Sequence, residues 1–451
     1  MKILIKGAGD LATGIAYRLR RCGYDILMTE TAVPTTVRRT VAFSRAVYEG
    51  SAAVEGIESV LVSGIEEAER AIAAEKIPVI VDPEAAIREE FAPDIVVDAI
   101  IAKKNLGTTI NDAGLVIGVG PGFMAGIDCH CVVETKRGHY LGRTIYNGSA
   151  IPNTGIPGEI GGYSVERIIR AAADGEFHPV RQIGEKVLEG DVVAESGGVP
   201  IKALMPGIIR GMLQEGVQVR AGMKCGDIDA RCEVSHCYTI SDKARAIGGG
   251  VLEAVSRYEE RLKGTGIIIL AAGEGRRYGS NKLLAQIGGR RMFEYCLDAA
   301  AKTGQRRTVV TGYDEIAEYA KNNGFRVVRN DHPELGISES IKLGLAAMKD
   351  CRAILFAVCD QPKLTEDTFR RLINSYAAGD KELACMGNGE DMLGNPCLFG
   401  RKYYSELEEL TGDIGGKRVI MKHREELIVV SASEAELEDI DYNNAGDQTG
   451  T

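Results

Sequence analysis

Leu270-Ala271-Ala272-Gly273-Glu274-Gly275-Arg276-Arg277-Tyr278-Gly279-Ser280-Asn281-Lys282 decides how the C-terminal part of this chain is read. The stretch follows a short apolar run, Gly266 to Leu270, and leads into an amphipathic one. That pattern predicts a strand, a glycine-rich loop and then a helix. Glycines at 273, 275 and 279 let backbone N–H groups face a phosphate with no side chain in the way. Arg277 and Lys282 add two cations able to reach the same anion. The expected grip on a nucleoside triphosphate is therefore Leu270, Ala271, Ala272, Gly273, Gly275, Arg277 and Lys282.

Working outward, four further segments point the same way. Ala353 to Cys359 is an apolar run of buried-strand type that ends on Asp360-Gln361-Pro362. A carboxylate at the C-terminal end of a parallel strand lies where open α/β sheets bind ligands. Asp360 is thus placed to hold Mg²⁺, which takes one or two carboxylates plus substrate phosphates. Asp441 is the expected second ligand, near Asp439. Asn330 to Ile341 reads as a turn and a helix start, with Ser338 as the cap and its free N–H groups facing nucleotide. Gly394 to Gly400 opens a strand, and Leu410 to Lys417 is a glycine loop expected to close over a second, phosphorylated substrate. Taken singly, Asp360 reads as a surface carboxylate and Ser338 as an ordinary cap; the order and separation of all five segments carry the reading.

With these motifs in place, residues from about 263 to 447 resemble the MobA-like nucleotidyltransferases, most closely the molybdenum cofactor cytidylyltransferases. Arg277 and Lys282 occupy the family pattern's two basic positions, Tyr278 replaces Met or Phe, and Asp360-Gln361-Pro362 supplies its Asp-Gln-Pro step. Ala272 is glycine in the guanylyl-transferring relatives, which favours CTP over GTP. The family's Gly-His-Pro is Gly394-Asn395-Pro396 here, and its Gly-Asp-x-Gly-Ala-Arg ends in Gly416-Lys417. The closing acidic motif survives as Asp439, Asp441 and Asp447. The donor side is kept and the acceptor side altered. The resemblance implies attack by a phosphate oxygen of molybdenum pyranopterin on the α-phosphate of CTP, releasing pyrophosphate. It implies Mg²⁺ on Asp360 and Asp441, the β,γ-phosphates on the loop amides and Arg277, and Lys282 offsetting charge at the α-phosphate. Catalytic roles then fall to Lys282, Arg277 and Asp360.

The rest of the chain divides in two. Residues 1 to about 178 alternate strands (Lys2–Lys6, Asp25–Thr29, Val60–Ser63, Val79–Val81, Ile95–Ile101) with helices (Leu11–Cys22, Glu66–Ala74). Such alternation predicts a Rossmann-like, mainly parallel α/β sheet. Gly7, Gly9 and Ala12 fit G-x-G-x-x-[G/A] between strand and helix, and Glu30 closes the second strand. Gly7, Gly9, Asp10 and Glu30 form a candidate ligand loop, although Asp10 would repel a pyrophosphate. Residues 179 to 254 carry short strands between glycine turns with an internal half-repeat, which predicts a small β barrel-sandwich. The half-repeat resembles biotinyl and lipoyl carrier domains. Its middle, Ile201 to Gly207, lacks the carriers' lysine motif, so a structural barrel is expected.

Up to about residue 254 the chain also resembles a family associated with maturation of selenium-dependent molybdenum hydroxylases. Gly7–Gly14, Pro121-Gly122-Phe123, Arg137-Gly138-His139, Pro157–Tyr163 and Ser241–Arg245 carry that likeness. It implies a pathway, with a molybdenum hydroxylase apoenzyme as partner, and no established reaction. Asp128-Cys129-His130-Cys131 does not have the spacing of a structural zinc site, so ordinary strand cysteines are expected.

Composition sets the outer limits. At 451 residues, the length predicts about two to four domains. The third is read as residues 263 to 451, an α/β domain of the nucleotide-diphospho-sugar-transferase type. A net charge of −10 disfavours nucleic acid, whose backbone is bound by clustered Lys and Arg. Eleven cysteines without a CxxC pair, no leader pattern and no apolar span of about 18 residues point to a cytoplasmic protein without a membrane segment. Two other functions stay open: an NAD-dependent oxidoreductase working through the N-terminal block, and a non-catalytic molybdenum cofactor chaperone.

Overall fold

Uninterrupted apolar runs make strands that are covered on both faces, and two such sheets organise this molecule. The computed structural model describes residues 1–153, 162–273, 282–389 and 392–439. Gly275, Arg277, Tyr278, Gly279, Asp441, Asp447, Gly155 and the segment 157–161 lie outside the described residues. The chain divides into two units, Met1–Ser256 and Arg257–Thr451.

The first unit holds a nine-stranded sheet made of β1 (Lys2–Lys6), β2 (Asp25–Glu30), β3 (Ser51–Val54), β4 (Ile57–Val62), β5 (Ile77–Val81), β6 (Ile95–Asp98), β7 (Leu115–Val119), β8 (Cys131–Val133) and β9 (Thr144–Ile145). Its order is β3-β4-β5-β2-β1-β6-β7-β8-β9, parallel from β4 through β8 with antiparallel edges. The five expected strands and the two helices, now Asp10–Arg21 and Ile65–Ala73, are all present within a few residues. β6 stops at Asp98, short of Ile101, because the Asp98 carboxylate accepts the Ile100 amide (3.2 Å) and turns the chain.

Two four-stranded sheets follow. They comprise β10 (Ile168–Arg170), β11 (Gly175–Pro179), β12 (Lys186–Val187), β13 (Val192–Ser196), β14 (Val199–Lys202), β15 (Gly207–Met212), β16 (Gln218–Val219) and β17 (Lys224–Asp229). Paired as β10-β17-β15-β12 and β14-β13-β11-β16, they enclose Phe177, Val193, Ile208, Ile209 and Ile228. The strands thus begin at Ile168 rather than 179; a three-residue strand is too short to show alternation. The central hairpin is also not at Ile201–Gly207. Ser196 pairs with Val199, so its turn is Gly197-Gly198, both left-handed (φ +55° and +75°). A Cβ on Gly197 would meet the Asp174 carbonyl oxygen at 2.2 Å, and Ser196 Oγ accepts the Ala172 and Ala173 amides. The turn where a carrier displays its lysine is glycine here and is pinned down.

Residues 242–254, expected within the β-rich block, belong instead to the helix Asp242–Lys263. It packs on the first sheet's layer through glycines: a Cβ on Gly14 would lie 2.7 Å from that of Ala244, and one on Gly250 2.1 Å from the Gly142 carbonyl oxygen. Gly264 alone separates the helix from the next strand, with Thr265 Oγ1 donating to the Arg261 carbonyl (2.8 Å).

The second unit is a seven-stranded sheet of β18 (Thr265–Leu270), β21 (Arg306–Thr311), β22 (Arg326–Arg329), β23 (Ala353–Val358), β24 (Leu383–Asn388), β25 (Met392–Gly400) and β26 (Leu427–Ser431), with a small ribbon of β19 (Gln286–Ile287) and β20 (Arg290–Arg291) beside it. The order is β22-β21-β18-β23-β25-β24-β26, and β25 alone runs against the others. Successive β18 residues feed opposite cores: Ile267 and Ile269 pack with Phe293 and Phe369, Ile268 and Leu270 with Leu345 and Phe399. Arg261 is fully buried, 3.9 Å over the Tyr376 ring and 2.9 Å from Glu382 Oε1.

All eleven cysteines are reduced, with no disulfide among the described residues; Cys22 and Cys232 are exposed and the other nine buried. Among the described residues no helix is long and apolar enough to cross a membrane.

Candidate active site

The site forms where β18 lies between β21 and β23, with all three strands ending on one edge. Leu270 is in register with Val358, so the chain leaving β18 as Ala271-Ala272-Gly273 runs beside Cys359-Asp360. The order of connection reverses between these two parallel strands, with β21 and β22 to one side of β18 and β23 to the other, which is where α/β sheets open a ligand crevice. The end of β21 holds the loop. Thr311 Oγ1 donates to the Ala271 carbonyl (2.9 Å), and the Tyr313 hydroxyl donates to the Gly273 carbonyl (3.1 Å). Ala271 and Ala272 are buried, and the Ala271 amide donates to the Val310 carbonyl (2.8 Å), which ties the start of the loop to β21.

Lys282 opens a short 3₁₀ segment, Lys282–Leu284, anchored by the buried Leu283. Its Nζ lies 2.7 Å from Asp360 Oδ2, joining two residues that sequence reasoning set 78 positions apart. The other carboxylate oxygen, Asp360 Oδ1, is buried with no hydrogen-bond partner among the described residues. Gln361 Oε1 is buried in the same condition, while Gln361 Nε2 donates to the Leu437 carbonyl (3.4 Å). Leu437 ends the helical turn Glu434–Leu437, whose Glu436 accepts from Thr368 Oγ1 (2.6 Å). The segment leading to Asp439 is therefore fastened at two points on the Asp360 side.

Ser338 is placed differently from expectation. Gly336 occupies the cap position of the helix Ile337–Met348, and Ser338 is buried one residue inside it. The Ser338 amide donates to the Gly412 carbonyl (3.2 Å), so it is already taken. Gly336 has φ +88° and touches Gly412 so closely that a Cβ would lie 2.4 Å from the Gly412 carbonyl carbon. Tight backbone packing, which needs glycine on one side, seats the 410–417 loop on the helix start. Residues the sequence reading missed lie close by. Asn330 is buried, its amide donates to the Thr311 carbonyl (3.1 Å), and its Nδ2 donates to Ser340 Oγ (2.9 Å). Thr311, Tyr313 and Asn330 carry no motif, and only the pairing of β18 with β21 brings them to the loop.

In the first unit the glycine loop is engaged by its own chain. Glu30 accepts the Ala8 amide (3.0 Å) and the Thr31 amide (2.8 Å), and the Ser44 amide takes the Ala8 carbonyl (2.8 Å). A Cβ on Gly7 would touch Ala99 and Ile100 at 3.1 Å, and one on Gly9 would touch Thr36 Oγ1 at 3.2 Å. The Asp10 carboxylate sits 3.5 Å from the buried Arg38, which neutralises it. These glycines serve close packing, and Glu30 is spent inside the loop. His130 Nδ1 accepts the Val116 amide (2.9 Å), and burial pushes its pKa down to about 4. Among the described residues no group of three or more His, Cys, Asp or Glu is placed to hold a metal ion.

This geometry meets a known family. Residues 267–427 match the MobA-like NTP transferase domain. The second unit carries that domain. That domain implies a nucleotidyltransferase in this part of the chain. The N-terminal part is 49% identical over 253 residues to the uncharacterized protein YqeB of Escherichia coli K12, covering 56% of this chain and 47% of that protein. The bifunctional protein GlmU of Mycobacterium avium is 31% identical over 160 residues, 33% of this chain and 32% of GlmU. The chain thus spans about half, or less, of the curated relatives' lengths. Among solved structures, Rv0371c of Mycobacterium tuberculosis H37Rv aligns with 24% identity over 40% of this chain and 92% of its own, with a TM-score of 0.34.

Proposed function

We propose that the MobA-like domain transfers CMP from CTP to the phosphate of molybdenum pyranopterin and releases pyrophosphate. One observation carries this reading: Lys282 and Asp360 meet beside the fixed Ala271–Gly273 loop at the open edge of the sheet. A buried carboxylate oxygen without a partner among the described residues, in an oxygen-only donor set, suits a hard divalent cation such as Mg²⁺. Asp360 would hold it, with Asp441 as the second carboxylate. Such an ion, when bound, supplies charge neutralisation at the reacting phosphates.

The chain's own groups do the positioning. Loop amides of Ala272 and Gly273, with Arg277, hold the triphosphate. Thr311 and Tyr313 fix two carbonyls of that loop, and the Ala271 amide is held by the Val310 carbonyl. Lys282 moves its charge to the α-phosphate as the acceptor oxygen bonds to phosphorus and the bond to the β-phosphate breaks. Preorganised charges of this kind act without covalent catalysis. Ala272 favours CTP. The first unit is proposed as a maturation domain that serves a molybdenum hydroxylase apoenzyme.

Pyrophosphate release tests the reading, run with Mg²⁺, molybdenum cofactor, and CTP or GTP in parallel, with Asp360→Ala as control. Release with CTP, lost in the variant, is the expected result. Tight binding of the cofactor without release would instead support the chaperone function. Quenching of NADH fluorescence by the full chain would revive the oxidoreductase.

A further inference from the structure

The Lys282–Asp360 contact raises a question about how a divalent cation enters. The ammonium lies 2.7 Å from one carboxylate oxygen, with the two side chains 16% and 22% exposed, so water screens the pair only in part. The pair has no net charge. A cation arriving at Asp360 is therefore drawn less than by a bare carboxylate, and an ammonium bonded to the same carboxylate repels it. Lys282 cannot retreat far, because its backbone is fixed by the buried Leu283 and by the Ala285 amide, which donates to the Lys282 carbonyl (3.2 Å). Meanwhile Oδ1 of the same carboxylate, and Oε1 of the neighbouring Gln361, are buried without a hydrogen-bond donor among the described residues. The ammonium thus occupies the carboxylate while satisfying only half of it.

We propose that Lys282 acts as a resident cation on Asp360 that competes with the divalent ion, and that the triphosphate resolves the competition. A triphosphate brings several negative charges to the same edge. It gives the ammonium a new partner and leaves the carboxylate to the metal. Lys282 therefore makes metal binding depend on nucleotide, and by reciprocity makes nucleotide binding depend on metal. This inference rests on Asp360 being a metal ligand, as proposed above.

Titration of the full chain with Mn²⁺ and no nucleotide, following free Mn²⁺ by electron paramagnetic resonance, tests it. Lys282→Met and Lys282→Gln should bind Mn²⁺ about tenfold or more tightly than the unmodified protein, since each leaves an uncompensated carboxylate. Asp360→Asn should abolish that binding in either background. If Asp360→Asn abolishes binding but both Lys282 variants bind no more tightly than the parent, the competition is overturned and the metal assignment stands. If Asp360→Asn leaves Mn²⁺ binding intact, the metal assignment itself fails. Circular dichroism of each variant confirms that the fold is kept.

Discussion

At the level of single residues, the second unit turns on Asp360. Its value lies in a buried oxygen that has no donor among the described residues, a cost of about 1–3 kcal/mol that a folded chain ordinarily avoids. Asp360→Ala should lower kcat by about 100-fold or more while folding normally, as measured by pyrophosphate release beside thermal unfolding. Near-normal turnover would overturn its assignment. In the first unit, His130 is held neutral by burial, with its pKa down at about 4 against about 6.5 unfolded. Between those values the unfolded chain binds the proton that the native one refuses, so stability is full above pH 6.5 and falls as pH drops through the window. About 3 kcal/mol is at stake. Urea unfolding at pH 7 and pH 4 should show this loss in the parent and a smaller one in His130→Gln, which keeps an acceptor for the Val116 amide.

Elements are decided by packing as much as by propensity, and three consecutive glycines in one helix show the difference. Gly249 faces open space apart from the Arg18 side chain, whereas a Cβ on Gly250 would strike the Gly142 carbonyl oxygen at 2.1 Å. Alanine is worth up to about 1 kcal/mol over glycine in a helix interior, and overpacking costs about 1–3 kcal/mol. Gly249→Ala should therefore raise the midpoint of chemical unfolding and Gly250→Ala should lower it. At the β13–β14 turn, Gly197→Ala combines a left-handed φ with a 2.2 Å approach to backbone. A loss of about 2 kcal/mol or more is expected by the same measurement.

For the molecule as a whole, the sequence was legible where a pattern is local. Apolar runs located the parallel strands, and the Asp-Gln-Pro step located Asp360 at the end of one. Spatial neighbours were not legible. Thr311, Tyr313 and Asn330 reach the loop only through β18–β21 pairing, and Gly197-Gly198 becomes the hairpin tip only once Ser196 is known to face Val199. Glu30 looked like a ligand because its position fits a fingerprint; the bond to the Ala8 amide that occupies it leaves no trace in spacing. The helix Asp242–Lys263 was obscured by its own glycines, which read as turns until their contacts are seen. The uneven placement of the cysteines has one more consequence. Burial pushes the Cys129 thiol up to about 12 and those of Cys225 and Cys385 to about 11, while Cys22 and Cys232 face solvent. The protein therefore carries its own record of opening: a maleimide should modify two thiols per native chain and all eleven in urea, so mass spectrometry of labelled samples reads out which layer has come apart and when.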